Sequence, residues 1–249
     1  MKKTYELSFI SYDDLFMHVK NTVDHYRFEN NLITFNKNLI DPIKMTFDSK
    51  VYNQDIESTI QNEVIRQIDR TNTNLIGYFH QNIFKYIGQD WIVPKYGFDI
   101  ENKNKKIFVE MKNKHNTMNS SSGQKTFINM QDKIIQDPEN LCLLVEVIAK
   151  QSQNIPWKIS LFGESKYVDN IRRVSIDKFY ELVTGEKHAF KQLCEILPDI
   201  IDDVVRSSPI RGSVDTVFKE LKEYSQNIVE SLYLLAFNDY MGFDKLDIK

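Results

Sequence analysis

The stretch from Asp99 to Lys112 constrains the fold most, because two short apolar runs there flank a polar Asn/Lys turn. That pattern predicts a β-hairpin. In the second run Ile107, Val109 and Met111 alternate with Phe108, Glu110 and Lys112, so the two sets point to opposite faces. In the first run Gly97 and Asp99 share a face, opposite Phe98 and Ile100. A hairpin therefore sets Asp99, Glu110 and Lys112 on one side of a sheet, with the apolar set beneath as core. Two carboxylates and an ammonium in one patch make chemical sense when a divalent cation and a phosphate sit between them. Mg²⁺ prefers hard oxygen donors such as Asp99 and Glu110, and the backbone carbonyl of Met111 is a natural further ligand. Lys112 is placed to orient or deprotonate an attacking water and to offset charge at the phosphate.

The remaining chain reads as support for that hairpin. Ser11 before Tyr12-Asp13-Asp14 predicts a capped helix running to about Tyr26. The segment from Leu32 to Phe47 reads as a linking arm with one short strand, since Pro42 interrupts any helix. Apolar spacing from Asp55 to Tyr86 predicts helix, in two pieces or with a weak middle at Thr71-Asn72-Thr73-Asn74. After the hairpin come a polar loop, a helix from about Gln124 to Gln136, a buried central strand over Leu141 to Ile148, and a strand from Pro156 to Phe162. Beyond Ser175 the chain reads as helical, with breaks at Gly185, Pro198 and the Ser207 to Gly212 loop, and a last long helix from about Val214 to Tyr240. The order hairpin, helix, strand, strand implies an α/β fold leaning to α+β, with a mixed β-sheet core flanked by helices and a helical C-terminal part. No repeat or low-complexity linker separates domains, so one domain over 1–249 is expected, with its core at about 55–165 and the helical portion at about 175–249.

Composition removes several function classes. With 41% hydrophobic and 27% charged residues, a chain of 249 residues has enough apolar material for a sizeable core. No apolar run approaches the roughly eighteen residues of a membrane span, and the start Met1-Lys2-Lys3-Thr4-Tyr5-Glu6 lacks a secretory apolar stretch. Cys142 and Cys194, the only cysteines, fit neither a disulfide framework nor a zinc site, and a cytoplasmic setting is expected. A net charge of −3 argues against non-specific coating of nucleic acid. Its distribution is more informative. From Lys95 to Lys133 eight lysines face four acids, a local balance of +4, while Glu195 to Lys249 balances to −5. A basic stretch around an acidic patch, inside an acidic protein, suits a localised polyanion site.

An acid, a hairpin turn and then Glu-x-Lys on the next strand resembles the PD-(D/E)xK nuclease superfamily, with Phe98 standing where that pattern often has Pro. Glu110-Met111-Lys112-Asn113-Lys114-His115-Asn116-Thr117-Met118-Asn119 is similar to the active-site segment of type II restriction endonucleases that cut GGNCC-type sites. Leu75-Ile76-Gly77-Tyr78-Phe79-His80-Gln81 resembles the helix that precedes the hairpin in that group. The resemblance implies a restriction-endonuclease-like fold and a Mg²⁺-dependent enzyme that leaves 5′-phosphate and 3′-hydroxyl ends. It also implies a homodimer acting on double-stranded DNA at a palindrome, with a DNA methyltransferase as genetic partner. It places metal binding on Asp99, Glu110 and Met111, and catalysis on Asp99, Glu110 and Lys112.

Many members of the superfamily add an acid from the preceding helix, yet Leu75 to Ile87 contains none. Glu63 is the nearest candidate, and a solvated surface glutamate is the plainer reading of it. Lys114, His115, Asn116 and Asn119 follow the active strand and are suited to phosphates or base edges. Ser122, in the run Ser120 to Gly123, sits at a helix start that suits an anion, with a plain N-terminal cap as the other reading. Gln124 shares a helix face with Gln131, seven residues on, and one of the two is placed to reach the active site. His80 and Gln81 read as a hydrogen-bonded pair bracing the sheet. Arg206 and Arg211 flank a loop and are suited to reading guanine, though plain surface arginines are the simpler reading. Two other functions stay open on sequence. One is a repair or junction-resolving nuclease with the same core; the other is a catalytically silent DNA-binding protein.

Overall fold

The expected hairpin forms one end of a five-stranded mixed sheet. The computed structural model describes residues 6–88, 90–115, 117–161, 163–208, 214–225 and 227–237. In chain order the helices are α1 (Tyr12–Asp24), α2 (Leu32–Asn36), α3 (Pro42–Val51), α4 (Ile56–Asn82), α5 (Ser120–Gln136), α6 (Ile176–Thr184), α7 (Ala189–Ser207), α8 (Val217–Tyr224) and α9 (Ile228–Phe237). The strands are β1 (Glu29–Asn30), β2 (Ile100–Asn102), β3 (Ile107–Lys114), β4 (Leu141–Ile148), β5 (Asn154–Pro156), β6 (Ile159–Leu161), β7 (Glu164–Lys166), β8 (Ile171–Ser175) and β9 (Val214–Asp215).

Contacts group the chain into two compact units, one of residues 1–24 and 76–208 and another of 25–75 and 209–249. The first unit holds the sheet, ordered β2-β3-β4-β8-β5. β2 and β3 pair antiparallel, β3, β4 and β8 run parallel, and β5 returns antiparallel on β8. One face of the sheet, with Ile100, Val109, Met111, Leu143, Val145 and Val174, packs against Leu15, Val19, Phe179, Leu193 and Val204 of the helices α1, α6 and α7. The other face, with Phe108, Cys142, Leu144 and Ile171, packs against Phe127 and Met130 of α5 and against Trp157. β4 is buried on both faces, which explains its continuous apolar run. The second unit has its own core of Leu32, Phe35, Met45, Ile60, Val64, Val217, Leu221 and Leu232, and pairs β1 with β9 in parallel.

Several expectations need correction. Pro42 starts a helix instead of breaking one: it occupies the first turn of α3, where no N–H is required, behind the Asp41 cap. Two helices therefore replace the linking arm. α4 runs unbroken through Thr71 to Asn74. The Asn72 side chain accepts from Arg27 N–H at 2.9 Å and donates to Arg27 C=O at 3.2 Å, so it bonds a neighbouring segment and leaves its own helix intact. α7 likewise passes through Pro198, because burial of Ala189, Leu193, Ile200 and Val204 on both sides outweighs the lost hydrogen bond. The strand from Pro156 to Phe162 divides into β5, ending at Pro156, and β6; Phe162 lies outside the described residues. The last long helix is instead β9, α8 and α9, with Asn227 Oδ1 accepting from Val229 N–H at 3.0 Å to restart the helix. Tyr240 lies outside the described residues.

Candidate active site

Asp99 lies immediately before β2, where Gly97 turns the chain at a φ of 100° that few other residues adopt readily. The β2–β3 ladder pairs Ile100 with Val109, so the next position sets Asp99 opposite Glu110. Asp99 Oδ2 accepts from the Met111 N–H at 2.8 Å, extending the ladder through a side chain. Lys112 Nζ lies 2.7 Å from Glu110 Oε1, and both side chains are partly exposed. The alternation read for the second run is present: Ile107, Val109 and Met111 are buried in the core, while Glu110 and Lys112 open onto the α5 side. The first run departs from it, because Phe98 packs against Phe108 on the α5 face instead of sharing a face with Ile100. There they line a groove of about 940 Å³ together with Gly97, Lys125, Asn129 and Lys133.

Burial raises the Asp99 pKa above its ordinary value, and the Glu110 charge raises it further. The Met111 amide and Lys112 oppose that shift. Two carboxylates thus repel one another in a half-buried site, a strain that a cation would relieve. Within a strand, the N–H and C=O of one residue point to the same side. Because Met111 N–H reaches Asp99, its carbonyl also faces the side where the ladder has ended. Asp99, Glu110 and that carbonyl form a hard-oxygen set suited to Mg²⁺. Among the described residues no third His, Cys, Asp or Glu joins them in a metal-holding group.

A sequence model of the Eco47II restriction endonuclease family matches residues 7–206. The chain belongs to that family. It is 32% identical to the type II restriction enzyme Sau96I of Staphylococcus aureus over 236 residues, covering 88% of this chain and 89% of the relative. It is 27% identical to the type II restriction enzyme Eco47II of Escherichia coli over 212 residues, covering 80% and 88%. As an Eco47II-family member it is a type II restriction endonuclease, a site-specific deoxyribonuclease acting on double-stranded DNA.

The other residues singled out in this Eco47II-family sequence are placed as follows. Lys114 is exposed at the end of β3. His115 is held by a buried carboxylate: its Nδ1 lies 3.0 Å from both oxygens of Glu146. A carboxylate only accepts, so that nitrogen carries the proton. Asn119 caps α5, its Oδ1 accepting from Ser122 N–H at 2.8 Å. Ser122 lines the groove, and Gln124 Nε2 donates to the Ser160 carbonyl at 3.0 Å, tying α5 to β6. Asn116 and Arg211 lie outside the described residues. Arg206 is at the exposed end of α7, within 4.0 Å of Asp202 and Asp203. Glu63 belongs to the second unit, where Arg66 grips both of its oxygens at 2.6 Å. His80 is half-buried, and its Nδ1 has no hydrogen-bond partner among the described residues, unlike the bonded pair expected. Burial, aided by His18, lowers its pKa to about 4. Gln81 sits half-buried beside it on α4.

Sequence reading passed over Glu146 and Arg173. Glu146 is 1% exposed on β4, in register with Lys112 on β3. Its signal was present as the single charge in the apolar run from Leu141 to Ile148. Arg173 stands on β8, a strand the sequence reading did not anticipate. Among the described residues no helix is long and apolar enough to cross a membrane.

Proposed function

We propose that this restriction endonuclease is Mg²⁺-dependent and works as a homodimer of the whole 1–249 chain on a short GC-rich palindrome of GGNCC type. The observation that carries the site is the pair of contacts that join Asp99 to the Met111 N–H and Lys112 to Glu110 along the same stretch of β3. Asp99, Glu110 and the Met111 carbonyl would hold Mg²⁺, which would supply Lewis acidity toward the phosphate and lower the pKa of a bound water. Lys112 orients the attacking water and offsets charge building on the phosphate. Glu110 fixes the Lys112 ammonium, so that water is presented in line with the scissile bond. The products carry 5′-phosphate and 3′-hydroxyl ends.

Lys114 and Ser122 contact the DNA beside the scissile bond, with His115 and Gln124 bracing the strand end and helix that present them, and Asn116 is a further DNA contact. The GGNCC reading is supported by the similarity of the segment from Glu110 to Asn119 to enzymes of that specificity. The enzyme works in the cytoplasm, paired genetically with a DNA methyltransferase. Incubating purified protein with long phage DNA and Mg²⁺, then sequencing the fragment ends, tests the reading. Discrete bands whose ends share one GGNCC-type sequence are expected. A smear, or nicking governed by DNA structure, would point instead to a repair nuclease.

A further inference from the structure

A second polar cavity of about 310 Å³ lies on the α5 face of the sheet, lined by Lys112, Lys114, Glu146, Trp157, Lys158 and Arg173 among others. Its lining brings four cations together with one carboxylate. That carboxylate is almost wholly buried, a placement tolerated only when the charge is paired. Two partners pair it. His115 grips both of its oxygens, and Arg173 Nε stands 3.4 Å from Oε1. Nε has Coulombic attraction there but its N–H makes no hydrogen bond, and it is a buried donor without an acceptor among the described residues. The guanidinium also lies 5.9 Å from the Trp157 ring centroid, which restricts its plane.

Convergent like charges and a buried guanidinium donor without an acceptor are costly unless an anion completes the set. The anion must be one that a planar fork and the three neighbouring ammonium groups recognise together, which is the chemistry of a phosphodiester. Lys112 lines this cavity and also the groove at Glu110, so one strand can occupy both. We propose that the cavity binds a non-scissile phosphate of the strand being cut. Arg173 is its main contact, Lys114 and Lys158 flank it, and Glu146 is the positioning residue that aims Arg173. This inference rests on the nuclease reading and deepens it: the second phosphate fixes the strand's register over the Asp99–Glu110–Lys112 patch.

Duplex binding is measured by fluorescence anisotropy against salt concentration, with Ca²⁺ replacing Mg²⁺ to suppress cleavage. Arg173→Ala is expected to weaken binding by about tenfold or more, and to lower the salt slope by about one. The loss should be equal on cognate and non-cognate duplexes. Glu146→Gln should give a similar loss, and the double variant should add little to it. Lys114→Gln and Lys158→Gln replace exposed side chains that cannot unfold the protein, and each should also lower the slope by about one. Wild-type affinity and slope in these two variants overturns the assignment, whatever becomes of Arg173→Ala. So does a loss confined to one recognition sequence, which would mark a base contact. A wild type that cuts DNA at specific sites while the variants bind unchanged overturns the cavity assignment alone. A wild type that neither binds nor cuts DNA overturns both readings.

Discussion

At the residue scale, Asp99 is held in a state that its surroundings oppose. Because burial and Glu110 raise its pKa, the folded protein keeps the Asp99 proton more tightly than the unfolded chain does. The associated stability is present below the unfolded carboxylate value and is lost as pH rises through the raised folded value. Asp99→Asn removes that loss, and the amide oxygen can still accept from Met111. The variant should therefore unfold at a higher temperature than wild type in metal-free buffer at neutral pH, while losing cleavage. A lower midpoint would contradict the electrostatic reading. His80 has the opposite sign. Its pKa falls from 6.5 to about 4, so stability is complete above pH 6.5 and declines as pH falls toward 4. The loss approaches about 3 kcal/mol. Urea midpoints at pH 7 and pH 5 should differ less in His80→Gln than in wild type. Asp99, Glu110 and Lys112 were legible because period-two alternation is a local property of the chain. Glu146 and Arg173 were not, since their meeting depends on β4 and β8 lying side by side far apart in sequence.

At the element scale, α5 carries a residue whose structural duty is distinct from the DNA contact expected of it. Asn119 caps the helix through Ser122 N–H, so Asn119→Ala should cost about 1 kcal/mol, measured by urea unfolding. Asn119→Ser keeps a capping oxygen and should restore stability and activity together. Restored stability without restored cleavage would show a separate DNA contact. Helices were legible where an apolar stripe and a cap coincide, as at Ser11 before α1. Prolines misled because Pro42 stands at a position that favours proline, and Pro198 lies within a helix anchored on both sides. The middle of α4 misled because Asn72 finds its partner in Arg27, forty-five residues earlier in the chain.

At the scale of the whole molecule, the family match over residues 7–206 draws on both compact units. The mixed sheet with flanking helices was legible from the order of elements. The split of the C-terminal part was not, because β9 forms only through its pairing with β1, far away in the sequence. A homodimer should sediment at twice the chain mass at micromolar concentration, and a monomer under those conditions would contradict that assembly. The central claim is that Asp99, Glu110 and Lys112 form the cleavage centre. Its most direct test is Lys112→Ala assayed in parallel for Mg²⁺-dependent cleavage and for duplex binding. Cleavage should fall below detection while binding stays within a few-fold of wild type. Undiminished cleavage by this variant would contradict the account.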